Sequence, residues 1–445
     1  MALGLMAALK SRGLRVQPFK VGPDYLDPCW HRLATGRVSY NLDTWMLSRE
    51  YVQSLFLAKA HDADIAIIEG VMGLFDGPSP TSLAGSTAEI AALLDAPILL
   101  VADAHGAGRS FAACVKGFSE FESSCRIAGV VANYCGSSRH ASILQEALTG
   151  AGLCDLVGWF PRGAFPEMPS RHLGLKAPNQ NAPSNTIIDG LALGVQQRLD
   201  LDAIYKLASK HSTPSDSQES DSDEPLCEGP PKYSGTLAVA IDEAFSFYYL
   251  DNLELLQSYG LRIVEFSPLH DSELPADIDG VYLGGGYPEE YANQLSKNVT
   301  MLRSLVRFAE SGKAIYAECG GMMYLSKAVI DRDGQSWPMA GLLPFATRML
   351  DRCKRLGYVA TTLAENTLFG PPGTVLRGHE FHYSEIVEPV ELGDWCQPYI
   401  LRDSRGGGER ADGFARGNIL ASYVHQHLHS NLTAAEALSL AFKRR

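Results

Sequence analysis

The 445-residue chain is long enough for about two to three domains, and its 46% hydrophobic and 20% charged residues fit an ordinary globular protein. A net charge of −13 without any basic block excludes a general nucleic-acid binder, and no apolar run reaches the ~18 residues of a membrane span. Nine scattered cysteines, odd in number and with no C-x-x-C pair, exclude a disulfide framework and a zinc ribbon and point to a reducing, cytoplasmic compartment.

The opening stretch, MALGLMAALKSRG, predicts a helix closed by Gly13 and lacks the basic region and cleavage site of a signal peptide. A domain that starts in mid-helix implies upstream residues, a targeting segment being one candidate for them. Apolar runs at 14–21, 63–70, 96–103, 126–133 and 156–161 predict strands, with amphipathic segments such as 87–94 and 140–148 between them. Runs that are hydrophobic on both faces belong to buried parallel strands, so residues 1–205 read as a doubly wound α/β domain whose ligands sit beyond the carboxyl ends of the strands. Polar residues gather at those ends, in Lys20 to Pro28, Glu69 to Gly77 and Asp103 to Gly106. A carboxylate beside glycines at such an end, Glu69 above all, suits an Mg²⁺ or phosphate site; a solvated strand terminus is the plain alternative.

Residues 206–233 are rich in Ser, Asp, Glu and Pro without periodicity and predict a disordered acidic linker. A second α/β pattern fills 234–445, with strands at 235–242, 262–267 and 278–286 and helices at 249–260 and 302–312. Longer alternating segments at 356–363, 377–387 and 395–402 predict an antiparallel extension.

Within this half, KAIYAECGGMMYL (313–325) reads as a buried strand that turns sharply at Glu318-Cys319 into a helix. A cysteine at such a turn is a candidate nucleophile, because the positive end of the following helix favours thiolate and the glycines let a carbonyl approach. A small buried hydrophobe is the alternative reading of Cys319. A base is available in the YVHQHLH segment, where alternation puts His425, His427 and His429 on one face; the same spacing would also suit a metal. Gly284 to Gly286, after a buried strand, could expose backbone N–H groups as oxyanion donors or be simply a turn.

The ordered motifs LGGGYPE (283–289), AECGGMMYL (317–325), RGHEFHYS (377–384) and ASYVHQH (421–427) resemble the class I glutamine amidotransferase domain of the corrin-ring amidases. KVGPDYLDPCWHRLATGR (20–37), NLDTWML (41–47), IEGVMGLFDG (68–77), STAEIAALLDAPILLVADA (86–104) and PSRHLGL (169–175) resemble the partner domain of the same enzymes. Nearly end to end, the chain resembles the cobyrinate or hydrogenobyrinate a,c-diamide synthase family. The resemblance implies a P-loop-NTPase-like, dethiobiotin-synthetase-like amidoligase domain joined to a glutamine amidotransferase domain. It implies ATP, Mg²⁺, L-glutamine and a corrin-type tetrapyrrole as reactants, no nucleic acid or membrane partner, and compatibility with a homodimer. Carried over residue by residue, Cys319 attacks glutamine, His425 activates it as a Cys-His pair without the usual third carboxylate, and Gly285 and Gly286 bind the oxyanion. Glu69 becomes the Mg²⁺ partner; Asp24, Tyr25 and Leu26 lie near the carboxylate undergoing amidation; His31, Arg37 and Asn41 contact the acidic macrocycle. Two features depart from the family pattern. No G-x-x-x-x-G-K-S/T occurs, so an N-terminally shortened chain, a missing central strand and weak ATP binding are expected. The segment at 423–428 reads YVHQHL where the family has YVHLHF. A glutaminase with an inactive synthetase half and a non-catalytic tetrapyrrole-binding protein are the competing readings.

Overall fold

The computed structural model describes residues 1–168, 170–171, 174–175, 182–209, 233–387, 390–404 and 406–443. Most of the expected linker (210–232) and residues 169, 172 and 173 of the PSRHLGL motif therefore lie outside the described residues. The chain divides into two compact units: unit 1 comprises Met1–Thr44 and Ser48–Leu226, and unit 2 comprises Trp45–Leu47 and Cys227–Arg445. Among the described residues no helix is long and apolar enough to cross a membrane.

Unit 1 alternates helix and strand from its first turn: α1 (Ala2–Ser11), β1 (Val16–Val21), α2 (Leu26–Thr35), β2 (Tyr40–Leu42), α3 (Arg49–Ala60), β3 (Ile65–Glu69), α4 (Thr87–Leu93), β4 (Ile98–Asp103), α5 (Arg109–Phe121), β5 (Ile127–Asn133), α6 (Ser138–Gly150) and β6 (Leu156–Phe160). Local chemistry sets several boundaries. The Ser48, Ser86 and Ser137 hydroxyls accept from the N–H of Tyr51, Glu89 and His140 and cap α3, α4 and α6. Gly36 ends α2 with φ +78°, a backbone conformation that L side chains disfavour. The strands form two parallel sheets, ordered β2-β1-β3 and β4-β5-β6. Within each of these sheets β3 and β4 are outer strands, and they are the less buried ones, Val101 of β4 being 46% exposed against full burial of Val130 and Val131 in β5. Helices α7 (Ala182–Gln196) and α8 (Leu201–Ser209) follow, so residues 206–209 of the expected linker are helical.

Unit 2 holds a six-stranded sheet. Its order is β8-β7-β9-β10-β16-β15, with β7 Gly235–Ala240, β8 Leu261–Phe266, β9 Gly280–Leu283, β10 Ala314–Glu318, β15 Phe414–Arg416 and β16 Ile419–Ser422; all neighbours are parallel except β15 and β16. The predicted antiparallel extension is present as β14-β13-β11-β12-β17, formed by β11 (Arg355–Leu363), β12 (Val375–His382), β13 (Tyr399–Asp403), β14 (Arg410–Asp412) and β17 (His425–His427). Every residue of β10 is buried, and the helix that follows it (α9, Gly320–Leu325) is buried throughout, which fixes the turn between them. The segment that leads into the histidines is split between two sheets: β16 belongs to the parallel sheet and β17 to the extension.

Candidate active site

Cys319 sits between β10 and α9 with φ +45° and ψ −102°, a conformation that costs a non-glycine residue about 1–3 kcal/mol. Its surroundings hold it there. Its N–H donates to the Ser422 carbonyl at 2.8 Å, and its own carbonyl accepts from Met323 N–H at 3.0 Å. The glycines after it are required by close approach: a Cβ on Gly321 would lie 2.2 Å from the Leu283 carbonyl oxygen, and one on Gly320 would lie 3.0 Å from the Gly286 nitrogen. The elbow is thus pressed against the turn that carries Gly285 and Gly286.

The His425 ring packs on the same turn. A Cβ on Gly285 would lie 2.3 Å from its Cε1 and 3.2 Å from either ring nitrogen. His425 is 1% exposed, and its strand pairs with β12 so that His379 stands opposite it. The Cys319 sulfur lies 3.9 Å from the Phe381 carbonyl oxygen on β12. One side of the elbow therefore faces the Gly285-Gly286 turn, and the sulfur faces β12. The shared histidine face does not survive. Only His425 and His427 are in β17, while His429 lies in the 3₁₀ turn Leu428–Ser430; among the described residues no cluster of three or more His, Cys, Asp or Glu side chains is placed to hold a metal ion.

Electrostatics at the elbow correct one expectation. Burial raises the Cys319 thiol well above its ordinary value, and the carboxylates of Glu289, Glu318 and Glu380 raise it further, against a smaller opposing effect of the Gly320 N–H. Burial also holds His379 down to about 3 and His382 down to about 4, so both are neutral near pH 7. Beside Cys319, Glu318 is 3% exposed and accepts hydrogen bonds from Tyr282 (2.9 Å), Tyr316 (2.6 Å) and the Gln426 N–H (3.0 Å). Sequence reasoning passed over Glu318, because no spacing rule links a strand residue to the neighbours it meets across a sheet.

A polar cluster lies at the carboxyl ends of β1 and β3 in unit 1. Lys20 is paired with Asp27 at 2.6 Å, donates to the Gly70 carbonyl at 3.1 Å and lies 3.9 Å from Glu69. Although burial opposes it, Glu69 and Asp27 raise the Lys20 ammonium above its ordinary value. Burial, then the neighbouring Asp27, pushes Asp24 up to about 7. Lys20 and Asp27, both missed by sequence reasoning, are what tie Asp24 and Glu69 into one cluster. Tyr25 caps α2 and Leu26 opens it, and both are mostly buried.

The three residues expected against a macrocycle each have hydrogen-bond partners within unit 1. His31 is fully buried, held between Ser39 (2.9 Å) and Glu69 (2.6 Å). Asn41 is spent on the loop, its side-chain amide donating to the Gly22 and Asp24 carbonyls at 2.7 and 2.8 Å. Arg37 lies at the other end of β1, where it binds Gln17 at 2.8 Å and both Asp62 oxygens at 2.6 and 3.0 Å. His31 and Asn41 are buried, whereas Arg37 is partly exposed.

Residues 236–433 match the CobB/CobQ-like glutamine amidotransferase domain, and residues 1–158 match the CobQ/CobB/MinD/ParA nucleotide binding domain. The chain is 51% identical over 439 residues to a protein of Syntrophotalea carbinolica named cobyrinate a,c-diamide synthase, covering 98% of this chain and 94% of that one. It is 40% identical over 428 residues to the protein of the same name from Salmonella typhimurium (96% and 91% covered) and 40% identical over 435 residues to that of Dehalococcoides mccartyi strain CBDB1 (96% and 92%).

Proposed function

The chain belongs to the cobyrinate a,c-diamide synthase family, and we propose that it amidates the a and c acetate carboxylates of a corrin-type macrocycle, cobyrinate or hydrogenobyrinate, with glutamine as nitrogen source and ATP as energy source. The observation that carries the chemistry is the Cys319 elbow pressed against the Gly285-Gly286 turn on which the His425 ring is packed.

Hydrolysis of glutamine belongs to unit 2. His425 takes the thiol proton as the Cys319 sulfur attacks the side-chain amide carbon of glutamine. The C=O π electrons move onto oxygen, and backbone donors of Gly285 and Gly286 stabilise the oxyanion. As the tetrahedral species collapses, the C–N bond breaks and His425 returns its proton to the leaving nitrogen, releasing ammonia and a thioester. Water, deprotonated by His425, then cleaves the thioester to glutamate. Burial raises the thiol above its ordinary value, so proton transfer to His425 accompanies attack.

Bond formation belongs to unit 1. The one carboxylate of Glu69 that stands partly exposed at the end of β3 suits Mg²⁺, which keeps several waters and needs only one or two protein carboxylates beside phosphate oxygens. ATP, when bound, supplies the activation that makes a substrate carboxylate susceptible to ammonia. This chain contributes the buried support: His31 fixes one Glu69 oxygen, and Lys20 and Asp27 hold the loop with Asp24, Tyr25 and Leu26 toward the carboxylate being amidated. The test is Cys319→Ala assayed for amide formation with glutamine and with free ammonia. Loss with glutamine and retention with ammonia is expected; loss of both, or of neither, refutes the assignment.

A further inference from the structure

The sequence offers no carboxylate shortly after His425 to complete a Cys-His pair. Unit 2 nevertheless places one there by another route. Glu318, the last residue of β10 and the chain neighbour of the nucleophile, puts Oε2 3.7 Å from Nδ1 of His425. Both side chains are nearly inaccessible, 3% and 2% exposed. Three donors converge on Glu318 from three directions. Tyr316 and the Gln426 N–H donate to Oε1, and Tyr282 donates to Oε2, the oxygen that lies 3.7 Å from His425 Nδ1. Gln426 is the residue after His425, so the Glu318–Gln426 bond anchors the histidine's own strand to the nucleophile's strand.

We propose that Glu318 is the positioning carboxylate of the glutaminase site: it orients the His425 ring and stabilises the imidazolium that forms when the Cys319 proton is taken up. This rests on the Cys319–His425 reading above. A proton moving from sulfur to imidazole places a positive charge on a ring buried beside a fixed negative one, and in a low-dielectric site that attraction is worth far more than in water. The other groups around the ring do not supply it. His379, opposite on β12, and His382, on the same strand, are held neutral by burial, and the Tyr282 and Tyr316 phenols are held protonated by burial. Glu289 and Glu380, like Glu318, raise the Cys319 thiol, and Glu380 is paired with Arg410. The arrangement also explains why a carboxylate is tolerated next to a nucleophile whose ionisation it opposes: its effect on the acceptor of the proton offsets its effect on the donor.

The experiment measures glutamine hydrolysis by the full chain as kcat/KM across about pH 5 to 10 for the parent, Glu318→Gln, Glu318→Asp and His425→Ala. Gln is near-isosteric and can keep its contacts with both tyrosines and Gln426. Glu318→Gln should lower kcat/KM about 10- to 100-fold, less than the ~10⁴ of a directly bonded triad carboxylate. It should also move the acid limb of the profile to lower pH by about one to three units, because the charge that favours the imidazolium is gone. Glu318→Asp keeps the charge and should keep the limb near the parent position at reduced rate. A purely structural role would lower the rate without moving the limb. A Glu318→Gln profile that superimposes on the parent limb, with His425→Ala inactive, overturns the proposal alone. A His425→Ala variant of parent activity overturns the pair beneath it. Should the Gln variant fail to fold, the Asp variant decides: a limb displaced from the parent position refutes an electrostatic role.

Discussion

Gly285 is the position where one added methyl group separates the two half-reactions most sharply. An alanine Cβ there would stand 2.3 Å from Cε1 of His425. Two carbons rest no closer than about 3.5 Å, so the ring must retreat by about 1 Å. It has little freedom to do so. The ring is buried, its strand is hydrogen-bonded to β12, and on that side Gly378 is so close that its own Cβ would lie 2.3 Å from the His425 carbonyl oxygen. Overpacking of this kind costs about 1–3 kcal/mol, and a shift of about 1 Å in a catalytic group costs about 100-fold in rate. Gly285→Ala should therefore lose about 100-fold in glutamine-dependent kcat/KM, keep ammonia-dependent synthesis, and melt about 2–12 °C lower, at about 2–4 °C per kcal/mol for a unit of this size. Gly117→Ala is the control: it lies inside α5 with nothing within 4 Å of an added Cβ, and should be stabilising by about 0.5–1 kcal/mol. The assays are glutamate release, ammonia-supported amidation and a thermal melt. A Gly285→Ala variant with parent glutaminase activity would refute the packing argument.

Glu69→Gln should lower ATP-dependent amidation about 10- to 100-fold with either nitrogen source and leave glutaminase activity unchanged; parent-level synthesis with ammonia contradicts a role in the ATP half. Asp24 carries a folded-state value raised to about 7 from an ordinary 3.8, so the folded state keeps its proton longer than the unfolded one. Its stabilising protonation is complete below the unfolded value and is lost as pH rises toward about 7. Asp24→Asn should accordingly gain stability over the parent as pH climbs through that window; urea midpoints that keep a constant difference between about pH 4 and 8 would rule this out. Arg37→Ala should reduce thermal stability slightly and leave the KM for the corrinoid unchanged, because its guanidinium is bound to Asp62 and Gln17; a raised KM would restore it to the substrate surface.

Much of the architecture was readable from periodicity, because each parallel strand is short, apolar on both faces and ended by a turn residue. The run at 126–133 became β5 and the run at 96–103 became β4, each within two residues. The elbow was readable too, since Glu-Cys-Gly-Gly after an apolar run has few other folds. What stayed hidden depended on contacts across the chain. Alternation joined His425, His427 and His429 on one face, but strand pairing ends β17 at His427 and the chain turns into a 3₁₀ segment. His31 and Arg37 look alike in a motif of polar residues. Only the register of β1 with β3 shows that one lies behind Glu69 and the other lies at the far end of the strand. Glu318 was in plain sight, yet its importance lies in Tyr282 and Gln426, which reach it from a neighbouring strand of the same sheet and from a strand of the other.

The elbow itself shows how opposing terms are balanced in one residue. A helix start favours thiolate, which was the expectation for Cys319, but a helix of six residues offers little of that field and it falls off within the first turn. Burial acts on the whole sulfur and wins, helped by three carboxylates. A neutral thiol in a closed site is a poor nucleophile toward water-borne electrophiles, so nothing is gained by exposing it between turnovers. In the proposed reaction it becomes reactive when the substrate amide lies against the Gly285-Gly286 turn and the proton has His425 to go to. The strained backbone at φ +45° serves that geometry: it aims the side chain out of β10 toward β12, where the Phe381 carbonyl marks its position, and the buried strand and helix on either side offset the strain. In the proposed reaction Cys319 therefore depends on its placement and on His425 as acceptor of its proton, since burial opposes the thiolate.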